Sequence, residues 1–95
     1  MSDDRAPGGA RRAVAVIFGG PSAEHDVSIV SGSAIAAALA GRGHPVSQFY
    51  VDLDGEWWLL PADHRRGDLP PSAYDDPAAL GGAGPFAAGE AAAGI

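Results

Sequence analysis

The segment from Gly19 to Ser28 contains the residue types best suited to binding a small charged molecule. It reads Gly-Gly-Pro-Ser-Ala-Glu-His-Asp-Val-Ser. Two adjacent glycines let the backbone turn sharply and approach a ligand closely. Glu24, His25 and Asp26 follow within a few residues. Because a helix dipole favours the charged form of a carboxylate near the helix N-terminus, Glu24 is a candidate partner for a cation such as a substrate ammonium.

This segment lies between a predicted strand and a predicted helix. Residues 13–18 are a short apolar run, typical of a strand buried on both faces of a parallel sheet. Ser22 is the predicted N-cap of the helix, which we expect to stop at Gly41 and Gly43. The helix face expected to pack on the sheet consists of Val27, Val30, Ala34, Ile35, Ala38 and Leu39. In open α/β sheets such loops, at the carboxyl ends of strands, bind ligands.

The following residues predict two more strands. Residues 46–51 (VSQFYV) are β-branched and aromatic, and Asp54-Gly55 predicts a two-residue turn into a third strand over 56–60. Trp57 and Trp58 should point to opposite faces of that strand. The order strand–helix–strand–strand indicates an α/β fold, a partial Rossmann-like βαββ unit.

The chain divides into three stretches of different composition. Residues 1–12 are small and polar and predict a disordered lead, whereas residues 13–60 hold nearly all the large apolar side chains. Residues 61–95 end in an Ala/Gly-rich tail and predict a flexible linker or variable segment.

Charge and cysteine content exclude several classes of function. There are 6 basic and 12 acidic residues, giving a net charge of −6, and every basic residue is arginine. Without lysine there is no P-loop, and the acidity disfavours nucleic acid and anionic membranes as partners. Without cysteine there is no disulfide, thiolate nucleophile or cysteine zinc site. The apolar run of residues 13–18 is shorter than the ~7–15 residues of a signal-peptide core, so we expect a cytoplasmic protein.

Each candidate residue also has a plainer interpretation. Glu24 is equally explained, from spacing alone, as a stabilising carboxylate in the first helical turn. His25, His44 and His64 are expected in solvated loops. Adjacent residues on a helix do not converge on one point, so no metal site is expected at residues 24–26. A dinucleotide fingerprint needs G-x-G-x-x-G, and Asp52 as a ribose-binding acid is weak evidence alone.

The string VAVIFGGPSAEHDVS, residues 14–28, resembles the opening strand and loop of D-alanine–D-alanine ligases. The resemblance continues to DGEWWLL at residues 54–60 and covers about residues 13–60. It implies a pre-ATP-grasp domain of a cytoplasmic ATP-grasp enzyme of peptidoglycan synthesis. That family uses ATP and Mg²⁺ to join two D-alanines through an acyl phosphate.

The resemblance also assigns roles to the loop. Glu24 matches the glutamate that holds the ammonium of the first D-alanine, and Val27 matches a valine lining the same subsite. Ser22 matches the loop serine, which we interpret as orienting the loop, and Gly19 and Gly20 supply the backbone. The resemblance matches no catalytic residue and no metal ligand to this chain.

Departures from the family limit the prediction. The second signature, H-G-x-x-G-E-D-G, does not occur, and neither do the nucleotide-binding lysines. We therefore expect an N-terminal piece that lacks the ATP-grasp portion, binds neither ATP nor Mg²⁺ by itself and does not catalyse the reaction. A homodimer of the full-length protein is compatible with the resemblance. The alternatives are a non-catalytic α/β remnant or interaction module, and a nucleotide-binding Rossmann-like domain.

Overall fold

The described chain follows the predicted order strand–helix–strand–strand and then continues into further short elements. The computed structural model describes residues 12–93, so nearly all of the predicted disordered lead lies outside the described residues. The elements are β1 (Val14–Gly19), α1 (His25–Gly41), β2 (Val46–Val51), β3 (Trp57–Leu59), 3₁₀ helices Pro71–Asp75 and Pro77–Leu80, β4 (Ala83–Phe86) and α2 (Ala88–Ala93).

The four strands form one mixed sheet in the order β1-β2-β3-β4. β1 pairs in parallel with β2, as the predicted strand–helix–strand unit requires, and β2 pairs antiparallel with β3. β4 extends the sheet by pairing antiparallel with β3. In the parallel pair Gly19 lies opposite Val51, so the carboxyl ends of β1 and β2 meet at one edge of the sheet.

The hydrophobic core lies between the sheet and α1. Alternate residues of the strands point into it, since successive side chains in a strand face opposite sides. Its buried members are Val16, Phe18, Ile29, Ala36, Tyr50, Leu60 and Tyr74. The rings of Phe18, Tyr50 and Tyr74 form its aromatic centre, with centroids 5.5–6.2 Å apart.

α1 packs on the sheet through a different face from the one predicted. Its buried residues are His25, Ile29, Gly32, Ser33 and Ala36. Most of the predicted stripe points to solvent instead: Val27 is 60% exposed, Val30 40% and Ile35 54%. Leu39, the last residue of the stripe, does pack against the core. The small side chains face inward because the helix lies so close to the sheet that a Cβ at Gly32 would collide with Phe18.

The β2–β3 hairpin is one residue longer in its loop than predicted. The Asp52 amide donates to the Glu56 carbonyl at 2.9 Å, which leaves a three-residue loop of Leu53, Asp54 and Gly55. Gly55 has φ 82°, the left-handed conformation that completes such loops. Trp57 and Trp58 do point to opposite faces: the Trp57 ring lies tilted against Phe49 with centroids 5.8 Å apart, while Trp58 packs against the core cluster.

The segment after β3 departs from the expected flexible linker. Tyr74 is fully buried in the core, and its hydroxyl lies 2.6 Å from His64 Nε2. The Arg66 Nε donates to Ser33 Oγ on α1 at 3.1 Å, and the Gln48 side chain donates to the His64 carbonyl at 2.9 Å. His64 is thus half-buried rather than a solvated loop residue. Tyr74 is the largest of the side chains that anchor this segment, and Ala73 and Leu80 pack against the same core.

The opposite face of the sheet is partly covered. Phe49 is buried there beside Trp57, whereas Ile17 on β1 is 47% exposed. Among residues 12–93, no helix combines the length and apolar character needed to cross a bilayer.

Candidate functional site at the carboxyl edge of the parallel strands

The Gly19-Gly20 pair turns the chain at the edge where β1 and β2 end. Gly19 has φ 94° and Gly20 has φ 98°, a region that L side chains rarely adopt. A Cβ at Gly19 would also collide with the Val51 carbonyl oxygen. The Gly20 amide donates to that same oxygen at 2.8 Å. Glycine is therefore required at residue 19 by both conformation and space.

The rest of the loop is fastened by two serines. The Gly19 amide donates to Ser28 Oγ at 2.9 Å, which joins the end of β1 to the first turn of α1. Ser22 Oγ accepts from the Glu24 amide at 3.2 Å, and the Ser22 carbonyl accepts from the His25 amide at 3.1 Å. The predicted N-cap is wrong, because Glu24 occupies the cap position and makes no side-chain capping bond. Ser22 instead stabilises the turn before the helix.

Glu24 lies at the end of this loop with its side chain exposed. Its backbone is held on both sides, by Ser22 and by the Ser28 amide, which donates to the Glu24 carbonyl at 2.8 Å. Within the described part of the chain, no hydrogen bond or ion pair occupies its carboxylate. The backbone at Glu24 is thus fixed while the carboxylate remains available to a ligand.

Val27 lies one turn further along α1. Residues three apart on a helix share a face, so Glu24 and Val27 are neighbours on the surface. Val27 is 60% exposed, and nothing lies within 4 Å of the position that a Cβ on Gly20 would take. The structure therefore brings the five predicted site residues, Gly19, Gly20, Ser22, Glu24 and Val27, into one loop and the first turn of α1.

His25 is the site residue that the sequence did not reveal. It was expected in a solvated loop, but it is only 6% exposed. Its Nδ1 lies 2.6 Å from the Gly20 carbonyl oxygen, and its Nε2 lies 2.9 Å from the Tyr50 hydroxyl. The partner Tyr50 is 25 residues away and on another strand, so no local pattern indicates the contact.

Tyr50 sits in acidic surroundings beneath the loop. Burial raises the pKa of its phenol to about 12, and the negative charges of Asp52, Asp75 and Asp26 act in the same direction. The phenol therefore keeps its proton throughout the neutral range. It can donate that proton in a hydrogen bond to His25 Nε2.

Three carboxylates cluster in the β2–β3 hairpin, beside a cavity of about 280 Å³ that Asp52, Asp54 and Tyr50 help to line. Among the described residues, Asp52, Asp54 and Glu56 bring ligand oxygens within 4.8 Å of one another. Both Asp52 oxygens are already bonded: Oδ1 accepts from the amides of Asp54 and Glu56, and Oδ2 accepts from the Trp58 indole. Asp52 therefore holds the hairpin together, which accounts for it without a ribose-binding role.

The residues present do not fit ATP with Mg²⁺. The chain has no lysine to pair with phosphates, and Asp52, the best buried of the clustered carboxylates, is committed to the hairpin. The site's available chemistry is the free Glu24 carboxylate, which suits a cationic group.

These features define an α/β unit with an exposed carboxylate at the carboxyl edge of a parallel strand pair. Residues 13–82 match the family model described as D-ala D-ala ligase N-terminus. This match covers well over half of the chain, and the chain belongs to that family.

Individual relatives agree with the family match. The chain is 45% identical to the D-alanine–D-alanine ligase of Chlorobaculum tepidum over 47 residues, covering 50% of this chain and 13% of that one. It is 54% identical to the Moorella thermoacetica ligase over 43 residues, covering 45% and 13%. A ligase of an Arthrobacter species is 37% identical over 76 residues, covering 80% and 20%. The chain thus spans between 13% and 20% of the length of these relatives.

A solved structure is also similar. The crystal structure of D-alanine–D-alanine ligase from Helicobacter pylori aligns with a TM-score of 0.43 and 30% identity, covering 55% of this chain and 15% of that one.

Proposed function

We propose that this chain is the N-terminal substrate-binding portion of an ATP-dependent D-alanine–D-alanine ligase, in which Glu24 binds the ammonium group of the first D-alanine. The observation that carries this proposal is the state of the Glu24 carboxylate. It is exposed, whereas the loop around it is tied down by bonds from Ser22, Ser28 and His25. A fixed backbone with a free charge is the arrangement that a binding residue needs, because little ordering remains to be done when the ligand arrives.

The chemistry of the neighbouring residues supports the same ligand. Val27 offers an exposed apolar side chain beside the carboxylate, suited to the methyl group of alanine. Ser22 contributes by holding the Glu24 amide, in agreement with its proposed role in orienting the loop.

The proposal assigns binding to this chain and not the chemical step. In the parent enzymes, ATP with Mg²⁺ would activate the carboxylate of the first D-alanine for attack by the amine of the second. The chain has no lysine to pair with the phosphates of that nucleotide, so we expect the 95-residue chain to bind D-alanine without turnover. The proposed place of action is the cytoplasm, where the dipeptide is made for peptidoglycan.

A titration of the ¹⁵N-labelled chain by NMR tests the proposal. D-alanine should cause saturable shifts in the amide signals of Gly19, Gly20 and residues 23–27. Propionate has the same carbon skeleton and carboxylate but no ammonium, so it should leave those signals nearly unchanged. Equal responses to the two ligands, or no saturable response to D-alanine, would show that the loop is not an ammonium site.

The same titration separates the proposal from its alternatives. Saturable shifts with NAD at the Gly19–Gly20 loop would favour a nucleotide-binding domain. Shifts with neither small molecule would favour a non-catalytic remnant or interaction module.

A further inference from the structure

His25 bridges two parts of the fold that no other described side chain joins in this way. One ring nitrogen reaches the carbonyl of Gly20 in the loop, and the other reaches the hydroxyl of Tyr50 on β2. We propose that His25 is the positioning residue of the substrate loop: an imidazole, protonated on Nδ1, that fixes Gly20 to β2 and thereby sets the direction of Glu24.

The hydrogen-bond partners determine where the proton lies. A carbonyl oxygen only accepts hydrogen bonds, so at 2.6 Å from the Gly20 oxygen Nδ1 must carry the proton and donate. In the neutral imidazole Nε2 is then an acceptor, and the Tyr50 hydroxyl 2.9 Å away must donate to it. The edge-on packing of the two rings, with centroids 5.6 Å apart, is consistent with this arrangement.

This bridge holds the carbonyl group of Gly20, which the backbone hydrogen bond from the Gly20 amide to Val51 does not restrain. The Gly20 amide is bonded to Val51 of β2, and its carbonyl is bonded through His25 to Tyr50 of the same strand. Both the amide and the carbonyl of Gly20 are therefore linked to β2 by hydrogen bonds, the first directly and the second through His25. Because Glu24 directly precedes His25, a fixed imidazole also fixes the backbone from which the Glu24 side chain departs. The effect on D-alanine rests on the proposed function, whereas the bridge itself does not.

Substitutions at residue 25 separate the two bonds. In His25→Asn the amide nitrogen takes the place of Nδ1 and keeps the bond to Gly20 while losing Tyr50. In His25→Gln the amide reaches the place of Nε2 and keeps the contact with Tyr50 while losing Gly20. Tyr50→Phe removes the hydroxyl and leaves the imidazole in place. A purely structural role would make the two His25 variants similar, whereas the positioning role makes them different.

Three readouts on the 95-residue chain test the inference. Long-range ¹H–¹⁵N spectra of the wild type should show the neutral His25 protonated on Nδ1. Backbone ¹⁵N relaxation at Gly20 and Ala23 should show the largest increase in mobility in His25→Gln, which loses the bond to Gly20. A smaller increase is expected in His25→Asn and Tyr50→Phe, which keep that bond but lose the link to β2. Loss of one hydrogen bond should weaken D-alanine binding about fivefold in His25→Gln and less than about twofold in His25→Asn.

The outcomes decide between the claims. A proton on Nε2, or equal loop order in the two His25 variants, would overturn the inference. If the wild type shows no response to D-alanine, the proposed function fails, and the tautomer and loop mobility still decide the role of His25. If D-alanine binds and both His25 variants bind it as well as the wild type does, the proposed role of Glu24 is retained and the positioning role of His25 is wrong.

Discussion

Phe18 on β1 lies directly against the backbone of Gly32 on α1, so close that a Cβ added to Gly32 would collide with the Phe18 Cβ. This contact sets the separation between helix and sheet, and it makes small residues face the core.

Gly32→Ala should therefore destabilise the chain although alanine is the better helix former. Overpacking a close contact of this kind costs about 1–3 kcal/mol, which outweighs a helix-propensity gain of about 1 kcal/mol. Chemical denaturation measures the free energy of unfolding. Gly41→Ala is the matched control, because it lies in the same helix with nothing within 4 Å of the added Cβ, and it should be neutral or slightly stabilising. A Gly32→Ala variant as stable as Gly41→Ala would contradict the packing.

Tyr74→Ala should show that the segment after β3 is part of the folded core. Tyr74 is fully buried against Phe18 and Tyr50, and removing a buried aromatic ring costs about 3–5 kcal/mol. Leu53→Ala serves as control, since Leu53 is 59% exposed in the hairpin loop and should change stability by less than about 0.5 kcal/mol. Similar unfolding midpoints for the two variants would mean that residues 61–95 behave as the flexible linker predicted from composition.

Stability should fall at alkaline pH because of the tyrosines. The folded-state pKa of Tyr50 is raised from 10.0 to about 12, so its contribution is complete below pH 10 and is lost as pH rises towards 12. Burial raises the pKa of Tyr74 as well, against the opposing charge of Arg66. The chain has no lysine or cysteine, so tyrosine dominates this window. The expected loss for Tyr50 is on the order of 2 kcal/mol, and Tyr50→Phe should abolish that share. If both tyrosines of the folded chain ionise near pH 10, as absorbance would show, the raised pKa is contradicted.

Stability should also fall at mildly acidic pH through His64. Burial lowers the pKa of His64 below 6.5, reinforced by Arg65 and opposed by Asp63. A lowered histidine pKa means that stability is complete above pH 6.5 and declines as pH falls below it, when the unfolded chain takes up a proton first. His64→Gln should flatten this part of the profile of unfolding free energy against pH. The inference is wrong if the unfolding free energies of His64→Gln and of the wild type decline in parallel as the pH falls.

The elements that could be predicted from the sequence are those whose local residue pattern favours a single type of secondary structure. β2 occurs at Val46–Val51 as expected, because β-branched and aromatic residues there leave little choice. The existence of α1 was equally clear, but its orientation was not. Aliphatic residues occur on several faces of this helix, so hydrophobic periodicity does not select one of them. The buried face is decided by the close approach of Phe18 to Gly32.

The predicted site residues are brought together, whereas the residue beneath them was missed. Glu24 and Val27 are close in the chain and share a helix face, so local reasoning suffices to place them. The burial of His25 depends on Tyr50, which reaches it only after the chain has crossed α1 and returned along β2. Tyr74 shows the same principle, since one buried ring overrides the average composition of its segment.

The affinity of D-alanine for the Glu24→Gln variant tests the central claim most directly. The substitution keeps the size of the side chain and removes its charge, and a hydrogen bond to a charged group contributes about 1.5–3 kcal/mol, so the dissociation constant should rise at least tenfold. Glu56→Gln, the same change at an exposed residue of the hairpin, should bind D-alanine like the wild type. If Glu24→Gln retains wild-type affinity, or if both variants lose it equally, the ammonium is not bound by Glu24 and the account fails.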